Sequence, residues 1–223
     1  MSETESAADY WEARYGEREQ IWSGRPNDAL VDTVGGLPPG RALDLGCGEG
    51  GDTVWLAAQG WEVTAVDIST TAVDRARERA AASGIPAGQV TWAVEDLADW
   101  RPAGEYELAS ACFLHSTVEF PRTDILRRAA GAVARAGHLL VVGHAEPPPW
   151  FAAHEGRDEA DGSQHGHHRG DHDFLGPAEE RAALQLDEAA WEVVVSEVRR
   201  RESTGPDGEP AVLLDTVVLA RRR

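Results

Sequence analysis

The sequence predicts an α/β fold, a mostly parallel sheet with helices on both faces, and three observations predict it. Apolar runs of strand length alternate with segments of helical period along most of the chain. A strand, glycine loop, helix, strand unit spans Ala42 to Ser69, opening A-L-D-L-G-C-G-E-G-G and closing W-E-V-T-A-V-D-I-S. The chain then closes on two long strand patterns, W-E-V-V-V-S-E-V and A-V-L-L-D-T-V-V-L-A, around a turn from Gly205 to Gly208. At 223 residues, a single domain over residues 1–223 is expected, with enough chain for a full α/β core.

The elements follow in order. Residues 1–9 are acidic, small and polar, and read as a disordered tail. Residues 10–27 change character: Tyr10, Trp11, Arg14 and Tyr15 share a helical spacing, and Trp22, Arg25, Pro26 and Asn27 follow. This aromatic stretch reads as a covering segment over a ligand, or as an amphipathic helix packed on the sheet. Asn27 is placed to cap a helix through about Val34, ended by Gly35 and Gly36. Asp52 or Thr53 caps the helix after the glycine loop, and Gly60 closes it. Ser69 caps the next helix, which Gly84 and Pro86 end. The third strand is residues 90–94, and the fourth starts at Tyr106. Pro121 opens a helix through about Arg135, and a fifth strand runs from Gly137 to His144. Residues 145–176 form a long irregular segment, after which Pro177 opens another helix.

The glycine unit carries the chemistry. Glycines let the backbone turn sharply and approach a ligand that a Cβ would hold off. The helix that follows offers unpaired N–H groups to a carboxylate or phosphate. Asp67, at the tip of the second strand, can accept both hydroxyls of a ribose. The glycine spacing alone leaves the ligand open, since Gly46, Gly48 and Gly51 also match a dinucleotide-binding pattern. Asp44 decides between them: a carboxylate there repels a pyrophosphate and can hold an ammonium group.

D-L-G-C-G-E-G, with V-D-I-S downstream, resembles the first motif of the class I S-adenosylmethionine (SAM) methyltransferases, in particular the small-molecule enzymes of the thiopurine and tellurite-detoxifying kind. The resemblance runs in order from Tyr10 to the C-terminus. It implies a Rossmann-like seven-stranded sheet whose last strand is antiparallel, with SAM as cofactor. The cofactor-binding set it implies is Trp22, Asp44, Gly46, Cys47, Gly48, Asp67, Ile68, Asp96, Leu97 and Phe113. Within that set Asp67 takes the ribose, Asp96 the adenine amino group, and the N–H of Leu97 a ring nitrogen. Cys47 also reads as a small space-filling side chain within the loop. The family usually has Asp where this chain has Glu107, a departure from the pattern. His115 and His144 each follow a strand at the ligand edge and are the candidate catalytic bases. The alternatives are a nicotinamide-dependent oxidoreductase and a SAM-binding regulator without turnover.

Composition narrows the class. The formal net charge of −18 repels phosphate backbones and anionic lipid, so the expected acceptor is a small molecule, with neither nucleic acid nor membrane as partner. The chain has no lysine, which removes a Walker lysine, a pyridoxal Schiff base and a Tyr-x-x-x-Lys pair. Cys47 and Cys112 suit a reducing cytoplasm without a disulfide framework. The N-terminus has no signal-peptide pattern, and no apolar run reaches spanning length. A monomer or homodimer is expected. His165, His167, His168 and His172 crowd the segment from Gly156 to Asp173. A lid anchored by Trp150, Phe151, Phe174 and Leu175 is the expectation there, against a solvated loop; no metal site is expected.

Overall fold

A computed structural model describes residues 6–116, 118–150, 174–205 and 208–223. In chain order the elements are α1 (Ala7–Gly16), α2 (Asp28–Val34), β1 (Arg41–Leu45), α3 (Gly51–Ala58), β2 (Glu62–Asp67), α4 (Thr70–Ala82) and β3 (Val90–Val94). They continue as β4 (Tyr106–Cys112), α5 (Arg122–Gly131), β5 (Val133–His144), α6 (Pro177–Leu184), β6 (Trp191–Thr204) and β7 (Pro210–Arg222).

The strands form one seven-stranded sheet in the order β3-β2-β1-β4-β5-β7-β6. Strands β1 to β5 pair in parallel, and β7 enters antiparallel between β5 and β6. Alternate residues feed two cores, as the two-residue period of a strand requires. On β5, Leu139 and Val141 join the core beneath α5 and α6, while Leu140 and Val142 join that beneath α2 and α3. Both faces are therefore covered, and the chain is a three-layer α/β/α sandwich. The strand order turns back between β1 and β4, which opens a crevice at the carboxyl ends of the parallel strands.

Four local expectations change. Helix α1 already starts at Ala7, because the Ser6 hydroxyl accepts the N–H of Asp9 and supplies a cap within the expected tail. Helix α3 is capped by Gly50 in a left-handed conformation, not by Asp52 or Thr53, whose side chains are drawn into the site instead. Asn27 precedes α2 as expected, but its amide turns to Asp52 and makes no cap bond. Helix α5 ends at Gly131, and β5 begins at Val133 rather than Gly137. Val133 is fully buried and pairs with Tyr106, and the register then shifts so that Leu108 pairs with His138. Ala136, at φ 64°, turns the chain through that irregularity.

Candidate active site

The acids of the site are brought together by strand ends. Asp44 closes into β1, Asp67 ends β2, Asp96 follows β3, Phe113 and His115 follow β4, and His144 ends β5. Every residue expected to touch the cofactor or the reacting groups lines one cavity of about 710 Å³: Trp22, Asp44, Gly46, Cys47, Gly48, Asp67, Ile68, Asp96, Leu97, Phe113, His115 and His144.

The glycine loop owes its shape to backbone geometry. Gly46 and Gly48 have φ of 70° and 50°, the left-handed region in which a side chain is strained. A Cβ on Gly48 would also stand 3.0 Å from the Tyr15 hydroxyl, so the loop and α1 close on each other at this glycine. The Gly48 N–H donates to Asp67 Oδ2 at 2.8 Å, and the Ser69 N–H donates to Oδ1 at 3.0 Å. Each carboxylate oxygen has a further lone pair, so Asp67 holds the loop and keeps acceptor capacity for a ligand. Burial raises its pKa, while the Ser69 and Gly48 N–H groups act against that rise.

Asp44 is 2% exposed and accepts from Thr53 Oγ1 at 2.5 Å. Burial, then the neighbouring Asp52, raises its pKa to about 7. Asp52 is clasped by Asn27, whose backbone N–H and side-chain amide donate to its two oxygens at 2.7 and 2.8 Å. Asp96 accepts the Ala98 N–H at 2.8 Å, which fixes the turn after β3, and Leu97 is buried beside it. Glu107, the departure in β4, lies away from the cavity and accepts the N–H of Arg41 at 2.7 Å.

The residues before α2 are pinned to the loop by Glu49, which sequence reasoning missed. Glu49 is 2% exposed, accepts the N–H groups of Ile21 and Trp22, at 3.2 and 2.9 Å, and pairs with Arg75 at 2.9 Å. Its place between Gly48 and Gly50 was the available signal: an acid inside a buried turn must find donors. Glu12 does the same for α1, accepting Ser69 Oγ at 2.7 Å and Thr71 Oγ1 at 2.5 Å. Trp11 reaches across to Ser116 Oγ at 3.3 Å, and Trp22 donates to the Tyr15 hydroxyl at 3.1 Å. Trp11, Tyr15 and Trp22 all line the cavity.

At the other end stand His115 and His144, their rings parallel within 6° and 5.8 Å apart. Phe113 packs on His144 at 4.8 Å and takes a φ of 54°, a left-handed backbone costing a non-glycine residue about 1–2 kcal/mol. Arg122 holds this segment, donating from Nε to the Leu114 carbonyl at 3.0 Å and pairing with buried Glu180 at 2.9 Å. Behind His144 lie Asp215 and Arg201, also missed. The legible signal was an acid in the middle of the apolar run of β7. Trp150 and Phe174 line the cavity as well, whereas residues 151–173, with the histidine-rich stretch and the expected lid, lie outside the described residues.

Residues 42–137 match the family model of a methyltransferase domain. That stretch, under half of the chain, is similar to a methyltransferase domain. The match takes in the glycine loop, Asp67, Asp96 and His115, and stops short of His144, β6 and β7. A probable thiol methyltransferase of Arabidopsis thaliana is 37% identical over 112 residues, 48% of this chain and 48% of that protein. The chain thus spans about half the length of this and similar curated relatives. Among solved structures, TehB from Haemophilus influenzae superposes with a TM-score of 0.66 at 18% identity, covering 97% of this chain and 67% of that one. The N-methyltransferase NodS from Bradyrhizobium japonicum, in complex with S-adenosylhomocysteine (SAH), gives 0.63 at 17%, covering 97% and 99%. At those identities the likeness concerns the fold.

The residues present fit SAM. The cavity is large enough, its loop can approach a ligand closely at Gly46 and Gly48, and the carboxylates of Asp67, Asp44 and Asp96 are acceptors of the kind that ribose hydroxyls, an ammonium and an adenine amino group would need.

Proposed function

We propose that this chain is a SAM-dependent methyltransferase acting on a small-molecule acceptor by in-line displacement. The observation that carries the reading is the arrangement at Asp67: the carboxylate fixes the glycine loop through Gly48 and still presents lone pairs into the cavity. When bound, SAM supplies an electrophilic methyl on a sulfonium, so the protein's task is chiefly alignment and exclusion of water. Asp67 holds the ribose, and Ile68, Asp96 and Leu97 flank the adenine. Asp44 receives the ammonium, and Gly46, Cys47 and Gly48 form the floor. Trp22 closes the site from the covering segment, and Phe113 borders the transfer position. His115 and His144 are the candidate proton acceptors there.

The acceptor end supports a small molecule: aromatic and imidazole groups line it, and the net charge of −18 is unsuited to a polyanion. The name of the Arabidopsis relative points to a sulfur acceptor. We place the protein in the cytoplasm as a monomer or homodimer. Among the described residues no helix is long and apolar enough to cross a membrane. Calorimetric titration with SAM, SAH and NAD tests the proposal. Micromolar or tighter binding of SAM and SAH is expected, and NAD binding more tightly than either would refute it.

A further inference from the structure

We propose that Asp215 and Arg201 are positioning residues that fix His144 in one tautomer, so that its Nε2 takes the proton from an O–H or S–H acceptor. This inference rests on the methyltransferase reading and names its acceptor class: a neutral, weakly acidic hydroxyl or thiol.

The geometry is a closed chain of contacts contributed by three strands. His144 on β5 and Asp215 on β7 are direct cross-strand partners. His144 Nδ1 lies 3.2 Å from Asp215 Oδ1. Arg201 on β6 donates to the same carboxylate from Nε at 2.6 Å and from its terminal nitrogen at 3.2 Å. Asp215 is 3% exposed, so an ionised carboxylate there needs these donors. Burial pushes its pKa up, and the bonds from His144 and Arg201 outweigh that and hold it below the usual carboxylate range. An ionised carboxylate has no proton to give. The imidazole must therefore carry its proton on Nδ1, which leaves the Nε2 lone pair unused by Asp215.

The ring is also clamped. Phe113 packs on it, His115 stacks near it, and the Arg201 guanidinium lies 5.1 Å over the Phe113 ring, closing the circuit. The charged and titratable groups facing His144 are thus Asp215 from β7, Arg201 from β6 and His115 from the segment after β4, with the Arg122–Glu180 pair behind that segment. Both His144 and Arg201 line the cavity.

The step balances. The acceptor's X–H bond breaks and its proton passes to His144 Nε2. The electron pair on X forms the new bond to the methyl carbon as the carbon–sulfur bond of SAM breaks, with that pair staying on sulfur as a neutral thioether. Asp215 then faces an imidazolium, which its charge stabilises.

The test has two arms. In protein labelled with ¹⁵N-histidine, long-range ¹⁵N–¹H correlation reads which ring nitrogen carries the proton, and loss of one set of signals in His144→Gln assigns the residue. Wild type is expected to show Nδ1–H at mildly alkaline pH. In Asp215→Asn, the amide oxygen must face Arg201 and the amide N–H₂ must face His144, which inverts the tautomer. A wild-type Nε2–H tautomer overturns the proposal whether or not the variant folds. The second arm measures methylation of aryl thiols and phenols of graded acidity. Asp215→Asn should lower kcat about 10²–10⁴-fold for weakly acidic acceptors, with KM little changed, and less for thiols already ionised. An equal loss across the series, or wild-type turnover of none but preformed thiolates, overturns it. SAH calorimetry runs alongside: failure of wild type to bind SAH would strike the methyltransferase reading itself, not the tautomer assignment.

Discussion

Asp44 gives the most quantitative handle on the site. Its pKa is raised to about 7 by burial and by the nearby Asp52. An acid with a raised folded-state pKa favours the free protein most at low pH. That contribution is fully present below the unfolded value of about 4 and is lost as pH rises through about 7. A ligand ammonium beside Asp44 reverses the preference, because it stabilises the carboxylate. Binding at pH 6 must then expel a proton that binding at pH 8 does not. One proton linked to binding changes the apparent Kd by up to about tenfold per pH unit, or about 1.4 kcal/mol. SAH affinity should therefore tighten by about fivefold from pH 6 to 7 and by about tenfold from pH 6 to 8, levelling off above. Calorimetry in two buffers of different ionisation enthalpy counts the protons directly. Asp44→Asn should flatten most of the slope, with a residual contribution from Asp67, whose pKa burial also raises. Proton uptake on binding, or the same slope in Asp44→Asn, would refute the reasoning.

Two other substitutions probe the loop. Glu49→Ala leaves the Ile21 and Trp22 N–H groups without their carboxylate and should weaken docking of the covering segment by about 2–3 kcal/mol. The lower end is favoured because Arg75 is 24% exposed and keeps its bond to the Arg18 carbonyl; faster amide exchange confined to residues 17–27 is the readout, and unchanged exchange would count against it. Asp67→Ala removes the bond that shapes Gly48 and, on the proposed reading, the ribose acceptor, and should cost about 2–4 kcal/mol of SAH binding with the sheet intact by circular dichroism.

What was legible in the sequence follows from local physics. The glycine loop, the strand-end acids and the closing strand pair are encoded within short windows, so the residues expected around a cofactor could be picked out locally, and the fold brings them to one cavity. The Ser69 cap is of the same kind, a hydroxyl three residues from the N–H it accepts. Asn27 and Thr53 were misassigned because each has a local use and a distant one. Their distant partners, Asp52 and Asp44, are buried acids whose need for donors outweighs an exposed cap. Asp215 could be seen as an acid within an apolar run, but its link to Arg201 and His144 depends on β7 inserting between β5 and β6, a pairing no window contains. The family match ends before these strands, so His144, Asp215 and Arg201 lie outside it.

The cavity concentrates carboxylates that folding alone would not favour. Asp44, Asp52 and Asp67 all have pKa values raised by burial, and Asp44 and Asp52 raise one another's cost of ionising. An apolar replacement would ease that, so their presence signals that something else relieves the charge. Asn27 relieves Asp52, and the loop N–H groups relieve Asp67 in part. Asp44 is relieved only in part, by the hydroxyls of Thr53 and Ser110, and on the proposed reading an ammonium would complete its shell. A ligand bearing that ammonium therefore binds a site already held at a cost, and returns part of that cost as stability. The covering segment is tied to the same loop through Glu49, and α1 to the helix after Asp67 through Glu12. The covering segment and α1 are therefore both tied to the buried turn that carries Gly48 and Asp67.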